Sequence, residues 1–233
     1  MSLVIDVSSS SRRTALADIL LVVAASSVAY AVEVALQEAF PWGDEARGVL
    51  AVLVGAAFAV WVTLHRGRSI TDLGFTRPKS WWAVPIWVVG ILATFILAQI
   101  AAPLLLSTFI EIPQPDFSRY DFIRDNFLGA LAMILALPLT AAIPEEVLYR
   151  GFLIERLTCI VGKGKFGVLL AVLLQAIMFG SVHFEWGVGG ILLASIMGAV
   201  WGFAFVLCGR NLWTVILAHS TAHVALVTQL YLS

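Results

Sequence analysis

Glu145, Glu146 and Arg150 stand in the string E-E-V-L-Y-R, directly after an uncharged run of 18 residues, Phe127–Pro144. His183 closes a second apolar run, His219 interrupts a third, and His223 follows four residues later. An ionisable side chain at membrane depth costs roughly 2.5–3.5 kcal/mol on insertion scales, so such groups usually mark a functional site. Glu146 and Arg150 are spaced i, i+4 with the acid first, the better order for a helical ion pair. Neighbouring residues on a helix diverge by ~100°, which leaves Glu145 as the free carboxylate. A carboxylate in that setting can take a proton from water, and a histidine can orient the water. H-S-T-A-H places His219 and His223 on one helical face, as two hydrogen-bond donors or two metal ligands. The plainer readings are a structural network of the three charges, an interfacial His183, and two polar rings facing a wet cleft. Glu185, close to His183, is either its partner or a loop charge, and reads as the loop charge.

The elements that must position these groups are membrane helices. Of 233 residues, 61% are hydrophobic and 12% charged, about half the charged fraction usual in a soluble domain. The net charge of −1 implies no attraction to nucleic acid or to anionic lipid. A bilayer core takes ~20 mostly apolar residues per helix. Seven segments reach or approach that length: Ile19–Leu36, Val49–Leu64, Trp81–Leu106, Phe127–Pro144, Phe166–His183, Trp186–Gly209 and Asn211–Leu232. The expected fold is an all-α, polytopic bundle of seven to eight transmembrane helices, forming one domain over residues 1–233. Met1–Arg13 lacks the apolar stretch and cleavage site of a signal peptide, so the first apolar run is expected to remain as a helix.

An N-terminus in the cytoplasm puts eleven basic residues inside: Arg12, Arg13, Arg66, Arg68, Arg77, Lys79, Arg150, Arg156, Lys163, Lys165 and Arg210. Three, Arg47, Arg119 and Arg124, fall outside. That bias supports this topology. Trp81–Trp82 suits an interface anchor, and Ser107–Asp125, with Pro113 and Pro115, is a long external loop. Cys159 and Cys208 border cytoplasmic loops and read as reduced and structural.

If the fourth helix continues past Pro144 to about Thr158, Glu145 lies ~20 Å from its cytoplasmic end at about 1.5 Å per residue. His183 lies ~25 Å above Phe166, and His219 only ~13 Å above Arg210. Two of the three depths agree. The third requires a tilted, kinked or re-entrant helix, or a shifted boundary.

Glu145-Glu146-x-x-x-Arg150, Phe179-x-x-x-His183 and His219-x-x-x-His223 resemble, in order and spacing, the motifs of the CAAX protease and bacteriocin-processing family of intramembrane peptidases. The loop Leu73-Gly74-Phe75-Thr76-Arg77-Pro78 is similar to a family loop. The resemblance is concentrated in residues 130–225. It implies that Glu145 and His183 activate a water and that the third motif stabilises an oxyanion. His219 matches that motif, whereas His223 replaces its usual asparagine. An imidazole can donate the same hydrogen bond.

The expected activity is hydrolysis of a peptide bond in a membrane-anchored or amphipathic substrate, with no nucleic-acid partner. The expected mechanism needs no cofactor. The alternative is a zinc site of Glu145, His183, His219 and possibly His223, with metal-bound water as nucleophile. No H-E-x-x-H helix supports it. Rival readings are a non-catalytic bacteriocin self-immunity or scaffold protein and a small proton-relay transporter. Short loops without a soluble domain fit a prokaryotic plasma membrane.

Overall fold

The computed structural model describes residues 11–39, 48–112 and 117–233. Most of the polar lead Met1–Arg13, the acidic turn with Arg47, and Pro113 and Pro115 lie outside those residues. Every regular element among the described residues is helical. The long ones are α1 (Arg12–Ala39), α2 (Val49–His65), α3 (Ala83–Leu106), α4 (Phe127–Val161), α5 (Lys165–Ser181), α6 (Gly187–Leu207) and α7 (Leu212–Leu232). Short 3₁₀ turns occur at Ile70–Leu73, Ser118–Ile123 and Phe184–Trp186. Among the described residues, five stretches are long and apolar enough to cross a membrane: Arg12–Gln37, Ala83–Leu106, Phe127–Val161, Phe184–Leu207 and Leu212–Leu232. Two of the seven expected segments, α2 and α5, form apolar helices of 17 residues. The chain is a multi-pass helical membrane protein.

The fourth helix does run through Pro144, with two interruptions. Pro138–Ala142 and Glu146–Leu153 are π-helical, and Ile143–Glu145 between them is α-helical. Pro138 and Pro144 lack the N–H that an α-helix needs, so i→i+5 bonding is one way for the backbone to absorb them. The second π segment carries Glu146 and Arg150, and all eight of its residues are buried.

Glycines let the helices approach. A Cβ on Gly198 would lie 3.1 Å from Ala176 Cα and 3.2 Å from Phe179 Cβ, so α6 packs backbone-close on α5. Gly55 of α2 leaves room for Ser26 of α1 and Leu148 of α4. At one end of the bundle, Asp18 of α1 receives Arg66 at 2.7 Å and Arg156 of α4 at 3.0 Å. Glu155 is paired with Arg156 and takes Arg68 at 2.8 Å. Asp18, Glu155 and Arg156 are buried, so these ions exist only as a set.

The Leu73–Pro78 loop fixes the start of α7. Gly74, at φ +104°, accepts the Leu212 N–H through its carbonyl at 2.9 Å, and a Cβ there would lie 2.6 Å from Arg210 O. Asn211 donates to Thr76 O at 2.6 Å and accepts from Thr214 N at 3.0 Å, which caps α7. The helix bearing His219 and His223 is therefore anchored at its first residue.

Candidate active site

Glu146 lies at the centre of the site. Its Oε1 is 3.2 Å from Arg150 Nη1 and 2.8 Å from His219 Nδ1. Glu146 and Arg150 are fully buried, and His219 is nearly so. The pairing of Glu146 with Arg150 alone was too narrow a reading, because the carboxylate has a second partner 73 residues away. The same bond closes the depth gap expected between His219 and the acidic pair. Each turn of a π-helix holds more residues than an α-turn, so α4 advances less per residue than a straight count assumes. Side-chain reach from both helices covers the rest.

Arg150 is held by its ion pair with Glu146 and by aromatic rings. Its Cζ lies 4.9 Å from the Phe179 ring and 6.0 Å from Tyr149, a cation–π setting. None of its guanidinium nitrogens makes a hydrogen bond of good geometry within the protein. Phe179 also meets Tyr149 edge-on at 4.9 Å. The F of F-x-x-x-H therefore packs directly against the arginine of E-E-x-x-x-R.

His183 lies just past the end of α5, at the cap of the Phe184–Trp186 turn. Its Nδ1 is 2.8 Å from Phe179 O, and a carbonyl can only accept, so Nδ1 carries the proton. The Nε2 lone pair is thereby left for another partner. The ring lies against Phe179 at 4.9 Å and Trp186 at 4.6 Å. His219 likewise donates from Nδ1 to the Glu146 carboxylate. It stacks on Trp201 at 5.1 Å and on His223 at 4.7 Å. His223 Nε2 is buried with no hydrogen-bond partner in the protein. Glu145 is half-buried, next to this cluster, on the α-helical turn between the two π segments.

The structure thus brings Glu146, Arg150, His219 and His223 into one connected group, with His183 tied to it through Phe179. Trp201, Tyr149 and Tyr30 are the residues that sequence reasoning missed, because aromatic residues inside apolar runs look like core. Glu185 is corrected from a plain loop charge to the acceptor of the Tyr30 hydroxyl at 3.0 Å. Among the described residues, no three His, Cys, Asp or Glu side chains are grouped to hold a metal. Outside the spans, burial pushes the Cys208 thiol up to about 11, so it stays protonated and unreactive near neutrality. Cys159 and Cys208 are both free.

Residues 127–225 match the family model described as type II CAAX prenyl endopeptidase Rce1-like. This segment is similar to the CAAX protease family. The CAAX protease match covers somewhat under half of the chain, and it contains all six charged and histidine residues of the site. No curated protein and no solved structure matches the chain.

Proposed function

We propose that the protein is an intramembrane endopeptidase of the CAAX protease type, hydrolysing a peptide bond of a membrane-anchored or amphipathic substrate. The observation that carries this reading is the Glu146 carboxylate shared by Arg150 and His219, which joins two of the three motifs inside an apolar bundle. A scaffold has no evident need of such buried charges, since well-packed apolar residues of similar volume do as well or better.

Glu145 takes a proton from a water that His183 Nε2 orients, and the hydroxide attacks the scissile carbonyl carbon. The negative charge passes to the carbonyl oxygen, where His219 Nε2–H and His223 donate to it. A donor at Nε2 of His219 requires the doubly protonated ring, because Nδ1 already donates. The Glu146 carboxylate faces that cation. As the tetrahedral carbon collapses, the C–N bond breaks and Glu145 returns the proton to the leaving nitrogen. Water is consumed, and a new carboxyl and a new amine are formed. The basic-residue bias supports an N-terminus in the cytoplasm, and the short loops fit the plasma membrane of a prokaryotic cell.

Proteomic comparison of cells carrying the native protein with Glu145→Ala and His183→Ala cells tests the reading. Both variants are expected to insert normally and to accumulate the same uncleaved precursor. Full processing in Glu145→Ala cells would remove the peptidase reading and favour an immunity or scaffold role.

A further inference from the structure

We infer that Tyr30 is a positioning residue for His183, acting through Glu185. This rests on the peptidase reading above. His183 opens a turn, Phe184–Trp186, in which Phe184 and Trp186 are 55% and 44% exposed. Such a turn gains little from burial, so its place depends on side-chain ties. The Tyr30 hydroxyl donates to Glu185 Oε1 at 3.0 Å, and the Tyr30 ring meets Phe184 edge-on at 6.3 Å. The turn's own backbone bond, Trp186 N to His183 O at 3.0 Å, makes it a rigid unit with His183. Fixing Glu185 therefore fixes the imidazole's base.

The other end of the argument is α1 itself. Asp18, three turns before Tyr30, holds Arg156 of α4 at 3.0 Å in a buried pair. Ser26, one turn before Tyr30, fits the recess at Gly55 that Leu148 of α4 also lines. A single helix is thus fastened to α4, which carries Glu145, and to the turn that carries His183. Their separation is set from outside the pair. Reacting groups tolerate little misplacement, and about 1 Å can cost on the order of 10²-fold in rate.

The tether is tested on the full chain by two readouts with Tyr30→Phe, Glu185→Ala, Glu185→Gln and the double variant Tyr30→Phe/Glu185→Ala. One is hydrogen exchange of the amides of 183–190 in detergent; the other is processing of the precursor that accumulates in Glu145→Ala cells. Tyr30→Phe and Glu185→Ala should each speed exchange several-fold and slow processing roughly tenfold, and the double variant should be no worse than either. Glu185→Gln keeps an oxygen acceptor and should restore most of both. Unchanged exchange in Tyr30→Phe, or losses that multiply in the double variant, would overturn the tether alone. Absence of any precursor in Glu145→Ala cells would instead overturn the peptidase reading and the positioning role together.

Discussion

His219 Nδ1 and Glu146 Oε1 lie 2.8 Å apart, joining α7 to the π-helical stretch of α4 across 73 residues of sequence. The bond makes the E-E-x-x-x-R and H-x-x-x-H motifs one electrostatic unit. It also divides the acidic pair, with Glu146 committed and Glu145 left on the neighbouring α-helical turn.

Replacing Glu146 with Gln keeps the shape but removes the charge that both Arg150 and His219 face. Breaking a buried pair by removing one partner costs about 3–5 kcal/mol, since the other charge stays buried. Thermal unfolding of purified Glu146→Gln protein should show a clearly lowered midpoint together with loss of cleavage. A midpoint equal to that of the native chain would mean Arg150 is neutralised by another group.

Gly180 sits where α5 passes α6, and a Cβ there would fall 2.8 Å from Ser195 N as well as onto the Ser195 hydroxyl. Because backbone is in the way, Gly180→Ala must push the helices apart. Overpacking of this kind costs roughly 1–3 kcal/mol. It also shifts His183, three residues on, so processing should fall more than stability does. Equal activity in Gly180→Ala would show that the site tolerates movement of α5.

His223 stands where the family pattern has asparagine, with its Nε2 buried and unpartnered. His223→Asn supplies an amide donor and should keep activity within about tenfold. Loss of a single oxyanion donor costs about 10²–10³ in rate, which is the expectation for His223→Ala. Comparing precursor processing in the two variants separates hydrogen bonding from bulk, and equal loss in both would remove His223 from the oxyanion role.

The side chains are not gathered into a metal site among the described residues. Incubation of purified protein with a strong chelator, followed by metal analysis, should leave processing unchanged. Stoichiometric zinc lost in step with activity would defeat the metal-independent scheme.

Much of this molecule was legible from residue order alone. Helical spacing placed Arg150 one turn beyond Glu146, and apolar runs marked out the helices, five of which among the described residues are long enough to span a membrane, because both depend on local geometry. Continuation of α4 through Pro144 followed from the rule that neighbours can satisfy a freed backbone group. Other features had no local signature. That Glu146 meets His219 depends on how far α4 advances through two π segments and on where Gly74 and Asn211 anchor α7. Glu185 finds Tyr30 only because α5 stops at Ser181, 17 residues long, and turns back at that depth. Sequence spacing determines which side chains share a face of one helix. Convergence of faces on different helices is decided by glycine contacts, caps and helix widening, which act between segments distant in the chain.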